Sequence, residues 1–288
     1  MTKALHTGLI LLLSCAAAGA QEITRQLALE LAAEESHESA AIEFRRLALT
    51  AEPGSAARAG YYWAAAHEYW RAGDGALSAK MLDRSEEDFP GLATPVLLLR
   101  AEAALQAGQL PEAAFYLESV AARQGSDEPQ RFARRRLASA QVAQGHAAQA
   151  EQTLAAVPDA GASNAVAGVE AYLHGSDKRP WLGGLLGAVP GLGHAYSGEW
   201  ANGLRSLLLN GIFIFGMVET ARDDDWGAFA AISFFEVTWY TGSIYGGVDA
   251  AHRYNRTRLQ RCRARIDGAV GFSLDTEKLP AIALRYSF

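Results

Sequence analysis

The chain has 288 residues, half of them hydrophobic, a formal charge of −6 and two cysteines. That length allows one large domain or two modest ones. The acidic balance excludes the basic footprint of a nucleic-acid binder. The cysteines, Cys15 and Cys262, are too few for a disulfide framework, and no Cys/His spacing suits a metal.

Residues 1–20 read as an export signal. Lys3 gives the positive start, Leu9 to Leu13 the apolar core, and Ala18-Gly19-Ala20 the small-residue cleavage site before Gln21. The apolar run is short for a membrane span. A rival reading takes Leu12-Leu13-Ser14-Cys15 as a lipoprotein box that leaves Cys15 lipidated, with the large Leu13 against it. Each route leads to a bacterial cell envelope, where Cys262 would be an isolated thiol.

Residues 21–160 carry a helical repeat. The phrases "YWRAGDGALSAKML", "ALQAGQLPEAAFYL" and "VAQGHAAQAEQTL" align on Gly73, Gly108 and Gly145, which are 35 and 37 residues apart. Five residues after each glycine comes Ser78, Ala113 or Ala150; nine after, Leu82, Leu117 or Leu154; seven before, Ala66, Ala101 or Ala138. Small residues let paired helices approach, and leucines fill the space between them. Tyr69 and Pro90 add an aromatic and a closing proline to one unit, and an irregular first unit covers Ile23 to Pro53 around Phe44. This pattern resembles the 34-residue tetratricopeptide repeat. The resemblance implies an α-solenoid of three to four units whose concave face binds another protein. Tyr61, Tyr62, Trp63, Tyr69 and Trp70 suit packing between helices and, as the other reading, a partner-binding surface. Arg131, Arg134, Arg135 and Arg136 read as a solvated helix face.

Residues 161–180 are read as a linker ending in Gly175, Ser176 and Pro180. A glycine-rich module over 181–255 follows. Its runs Leu204–Thr220 and Trp226–Val248 approach the length of a transmembrane helix, with "ARDDD" (221–225) at the bend. Trp226, Trp239, Tyr240 and Tyr245 suit interfacial or packing positions. The phrase "PGLGHAYSGEW" introduces these runs. Pro190, Gly191, Gly193, His194, Tyr196, Gly198 and Gly203 resemble the motif that leads into the paired spans of TM2-like membrane domains, with His and Tyr one residue closer than usual. The resemblance implies a compact transmembrane hairpin without established catalysis. A dinucleotide fingerprint is disfavoured because Tyr196 stands at the third glycine position, and a phosphate loop lacks its Lys-Ser/Thr. Arg205, Asn210 and Glu236 are intramembrane polar residues, and Glu236 is expected to pair with Arg205.

If the repeats are exported, "ARDDD" faces the cytoplasm and the basic run Arg253 to Arg265 faces outward, the reverse of the positive-inside rule. The hairpin not spanning, a misread signal, or a membrane other than the inner one would each remove the conflict. Residues 256–288 read as a basic linker and a short β tail, in which alternating "AIALRYSF" pairs with "VGFSL".

The expectation is an all-α protein: a tetratricopeptide-like α-solenoid, a two-helix transmembrane hairpin and a short C-terminal β-hairpin. Its expected role is that of a non-enzymatic envelope scaffold that binds another envelope protein, without cofactor or nucleic acid and with homo-oligomerisation open. A subunit of an outer-membrane assembly or export apparatus is the alternative. A membrane enzyme using His194 and Glu236 is the second alternative.

Overall fold

The computed structural model describes residues 21–123, 128–156, 160–268, 273–274 and 284–285. The expected export signal and Cys15 lie outside them. The chain divides into two compact units, 1–166 with 266–288, and 167–265.

The first unit is built of antiparallel helix pairs: α1 (residues 21–33) with α2 (His37–Thr50), α3 (Ala56–Arg71) with α4 (Gly75–Asp88), α5 (Ala93–Gln106) with α6 (Leu110–Ala121), and α7 (Glu128–Ala143) with α8 (Ala147–Ala155). A 3₁₀ turn at Pro90–Leu92 leads into α5.

Each pair closes with one device. At the second turn the amide of Gly73 donates to Trp70 O (3.0 Å) and that of Asp74 to Tyr69 O (2.9 Å). Gly108 with Gln109, and Gly145 with His146, repeat the pattern. This is the Schellman closure, and it needs a left-handed residue, which glycine supplies without a Cβ penalty. Gly73, Gly108 and Gly145 have φ of 83°, 74° and 86°. The first pair makes the same bonds through Glu35, which has φ of 60°.

Aligning on Glu35 puts Ala28, Ala40 and Phe44 in the phase found for the other three units. All three are fully buried, as are Ala66, Ala101, Ala138, Ala113, Ala150, Leu117 and Leu154, with Ser78 and Leu82 almost so. The small residues sit where helices cross and the larger ones fill the space between them. Side-chain caps set two helix starts: Ser55 Oγ accepts from Arg58 N–H (3.1 Å) and Asp74 Oδ1 from Leu77 N–H (2.9 Å).

Two elements depart from the expected boundaries. Most of the expected linker 161–180 is helical, as α9 (Ala160–His174). Its Ala-rich sequence favours helix, and Gly175 follows its last residue. The basic segment expected as a linker continues α13 (Trp226–Asp267), because nothing between Val248 and Asp267 breaks a helix.

The second unit also contains α10 (Pro180–Gly187), α11 (Leu192–Tyr196) and α12 (Trp200–Arg222). α12 is 23 residues, about 34 Å, and α13 is 42 residues, about 63 Å. They are joined by a turn in which Asp224 has φ of 58° and Asp225 Oδ1 accepts from Ala228 N–H (3.1 Å). Beyond α13, β1 (Ser273–Leu274) pairs antiparallel with β2 (Leu284–Arg285), Ser273 opposite Arg285. The rest of the expected β tail lies outside the described residues.

Candidate functional site

In the repeat unit, the aromatic cluster is core. Tyr61, Tyr62, Trp63 and Tyr69 are buried, and Trp70 packs half-buried against them. This corrects the reading of these five as a partner-binding surface. α3 is surrounded on nearly every side, so buried residues run unbroken from Ala59 to Tyr69. The arginine cluster is corrected too. Arg135 is buried, Arg136 donates to Glu102 (Nε to Oε1, 2.6 Å), and Arg134 Nη1 donates to Ala156 O (2.8 Å). These side chains tie neighbouring helices together rather than face solvent.

The structure adds a buried polar group that has no sequence motif. Glu68 accepts from His37 (Nδ1, 2.7 Å) and His67 (Nδ1, 2.8 Å), and the His67 ring stacks on Trp63 with centroids 5.7 Å apart. Burial pushes the Glu68 carboxyl up, but the two histidines more than offset it and hold it below the ordinary carboxylate range.

A surface cavity of about 330 Å³ in the repeat unit is lined by Leu49, Arg58, Tyr62, Arg84, Glu87 and Asp88. Arg58 pairs with Asp88 (3.0 Å), and the guanidinium groups of Arg58 and Arg84 each lie 5.6 Å from the Tyr62 ring centroid. Of the five aromatics, Tyr62 is the one that lines this cavity, as its floor.

In the second unit the glycine motif is a packing device. Gly191 has φ of 90°, and a Cβ on it would lie 2.3 Å from Gly203 O. A Cβ on Gly193 would lie 2.5 Å from Gly183 O and 2.8 Å from Gly247 Cα, so α10, α11 and α13 touch backbone to backbone. Gly193 is helical, and close approach is what it serves. Gly198 makes the turn, with φ of 81° and Glu199 N–H donating to His194 O (2.9 Å). This is the same closure as in the repeats. Pro190 precedes the left-handed Gly191 that opens α11.

The polar residues of the motif hold this turn together. Glu199 accepts a two-pronged bond from Arg253 (Nε to Oε1 and Nη2 to Oε2, 2.8 Å each), one from Asn202 Nδ2 (2.8 Å), and faces His194 Nδ1 (3.3 Å). The bond from Arg253 leads in holding the Glu199 carboxyl at about 2. Tyr196 Oη accepts from Arg179 N–H (3.0 Å), and its ring lies 4.7 Å from Lys178 Nζ. His194 is thus engaged structurally.

The expected Arg205–Glu236 pair is not formed among the described residues. Arg205 Nη1 reaches Asn202 Oδ1 at 3.4 Å, while Glu236 is buried with Oε2 unbonded. α12 and α13 register at Ser206 with Ser243 (3.1 Å), which carries Arg205 away from Glu236. Asn210 is buried and donates to Ser206 O (2.6 Å). A cavity of about 350 Å³ beside this contact is lined by residues that include His194, Arg205, Asn210, Trp239 and Gly242, but not Glu236. The two residues of the enzymatic alternative therefore do not share it.

α12 is long and apolar enough to cross a membrane, and little of it is buried. Leu204, Leu207, Leu208, Ile212 and Phe215 are each more than half exposed, as are Phe234, Phe235 and Val237 on α13. The apolar half of α13, expected as a second span, carries Glu236 and does not meet the same length and composition limits among the described residues. No group of three His, Cys, Asp or Glu side chains among the described residues is placed to hold a metal ion.

Residues 50–171 match the family model of a tetratricopeptide repeat-like domain. The match covers α3 to α8 and extends into α9, so the described array is all-α and repeat-like. Such a domain is a protein-interaction module, which supports a protein partner and a scaffolding role. Comparison with curated proteins and with solved structures found no match.

Proposed function

We propose that this protein is a non-enzymatic scaffold of a bacterial cell envelope. The second unit anchors it in a membrane, and the repeat unit binds another envelope protein. The observation that carries the reading is the contrast between the surfaces of the two units. The repeat unit buries the aromatic cluster of α3 and leaves large apolar side chains exposed only singly, such as Phe115, whereas α12 leaves many of them exposed along about 34 Å. Contiguous apolar surface of that extent is a membrane or protein contact, and the length matches a bilayer core of about 30 Å. Trp200, at the start of α12, and Trp226, at the start of α13 beyond the turn that ends α12, are exposed and suited to the two interfaces.

Fractionation with in-cell crosslinking tests this. The full chain should remain with the membrane after an alkaline wash, and a partner should be captured that is lost with Arg84→Glu at the Tyr62 cavity. Release by the wash would overturn the anchor. Capture unaffected by Arg84→Glu or by the absence of residues 50–171 would overturn partner binding by the repeats.

A further inference from the structure

α10 and α11 turn a second apolar surface outward. Between Arg179 and Glu199 the chain carries no Asp, Glu, Lys or Arg. Gly183, Gly184 and Gly187 press α10 onto α13, while Trp181, Leu185, Val189 and Leu192 are left exposed.

A chain of hydroxyls fixes the level of this segment. Ser206 Oγ of α12 donates to Ser243 Oγ of α13 (3.1 Å), which donates to Gly187 O (3.2 Å). The end of α10 is thus level with Ser206, six residues or about 9 Å past Trp200. Gly183 lies on Gly247 one turn nearer the start, which brings Trp181 close to the level of Trp200. Exposed tryptophans at one level on two elements suit one membrane interface. Lys178 and Arg179 precede that level. Arg205 reaches back toward it, to Asn202 Oδ1 (3.4 Å), as a snorkelling side chain does. Beyond the turn, Gly193 is back beside Gly183 and Gly247.

The turn itself has its carbonyls met from within the protein. Leu185 O and Leu186 O accept from the N–H groups of Ala188 (3.2 Å) and Val189 (3.0 Å). Gly187 O accepts from Ser243, Ala188 O from Tyr240 Oη (2.8 Å), and Val189 O from Leu192 N–H (3.1 Å). Pro190 has no N–H to satisfy. A helix ending in water can leave its last carbonyls to solvent, whereas one ending in hydrocarbon needs protein donors.

We propose that α10 and α11 form a re-entrant wedge in one leaflet of the membrane. The chain enters at Trp181, turns beyond Gly187, and returns to the same side before α12 crosses. The acyl chains of that leaflet cover Leu185, Val189 and Leu192. The proposal rests on the membrane reading above.

Spin labels on the full chain in phospholipid vesicles test it. With Cys15→Ser and Cys262→Ala as background, single labels are placed through Leu185→Cys, Val189→Cys, Leu208→Cys and Phe115→Cys, all at positions more than half exposed. Oxygen concentrates in hydrocarbon, and a charge-neutral nickel chelate stays in water. Labels at 185 and 189 should relax with oxygen as the α12 label at 208 does, and should lose the nickel relaxation seen at 115 in the repeat unit. Nickel relaxation at 185 and 189, with 208 protected, places the segment in water and overturns the wedge. Protection of 185 and 189 from both reagents means that protein covers the face, which overturns the lipid contact. Nickel relaxation at 208 overturns the membrane reading itself.

Discussion

Single residues decide the turns of this molecule. Glu35 occupies a left-handed position that Gly73, Gly108 and Gly145 fill elsewhere. Glu35→Gly should therefore stabilise the repeat unit by about 0.5–1 kcal/mol, and Gly108→Ala, which meets no neighbour, should cost about 1 kcal/mol from backbone conformation alone. Urea unfolding reads both. The carboxylates Glu68 and Glu199 set an acid limit. Each is held below its ordinary range in the fold. Each thus adds stability that is complete above about pH 4.5 and is lost as the pH falls through its lowered value. For Glu199 that window runs from about 4.5 down to about 2. Glu199→Gln should flatten that part of the stability-against-pH curve. An unchanged curve would mean that the Arg253 bond does not differ between folded and unfolded chains.

Among the helices, the glycine-lined contact is the stringent one. Gly247→Leu drives a side chain into the Gly183 carbonyl, 2.2 Å from the Cβ position, and should cost more than about 3 kcal/mol. Gly211→Leu, with nothing within 4 Å, should gain up to about 1 kcal/mol from helix propensity. Thermal unfolding in detergent separates the two; similar Tm values would contradict the packing. The repeat phase was legible in the sequence because the turn glycine and its small and large companions recur at fixed offsets. The Glu35 turn was hidden because its residue type gives no turn signal. The aromatics of α3 left packing and a partner surface both open, because a helix buried all round has no amphipathic stripe to mark its face. Arg205 and Glu236 were paired on type alone, whereas the contact at Ser206 and Ser243 fixes a different register. The motif glycines were visible, but close backbone approach at Gly193 needs partners more than fifty residues away at Gly247.

For the whole molecule, the open matter is orientation. An exported repeat unit places the acidic turn Asp223–Asp225 inside and the arginines of α13 outside, against the usual charge bias. Protease added to intact spheroplasts should digest the repeat unit if the export reading holds. Protection until the membrane is opened would put the repeats in the cytoplasm and remove the export signal from the account.

The unbroken course of α13 has a mechanical consequence. A continuous helix bends little over a few turns, so its apolar and basic stretches move as one stiff boom. From Val248 to Arg265 the lever arm is about 26 Å. A 10° rocking of the apolar stretch, which is within the normal range of helix inclination in bilayers, would swing the arginine end through about 4–5 Å. On the proposed membrane reading, a change in bilayer thickness would then reach the aqueous side as a displacement of charge.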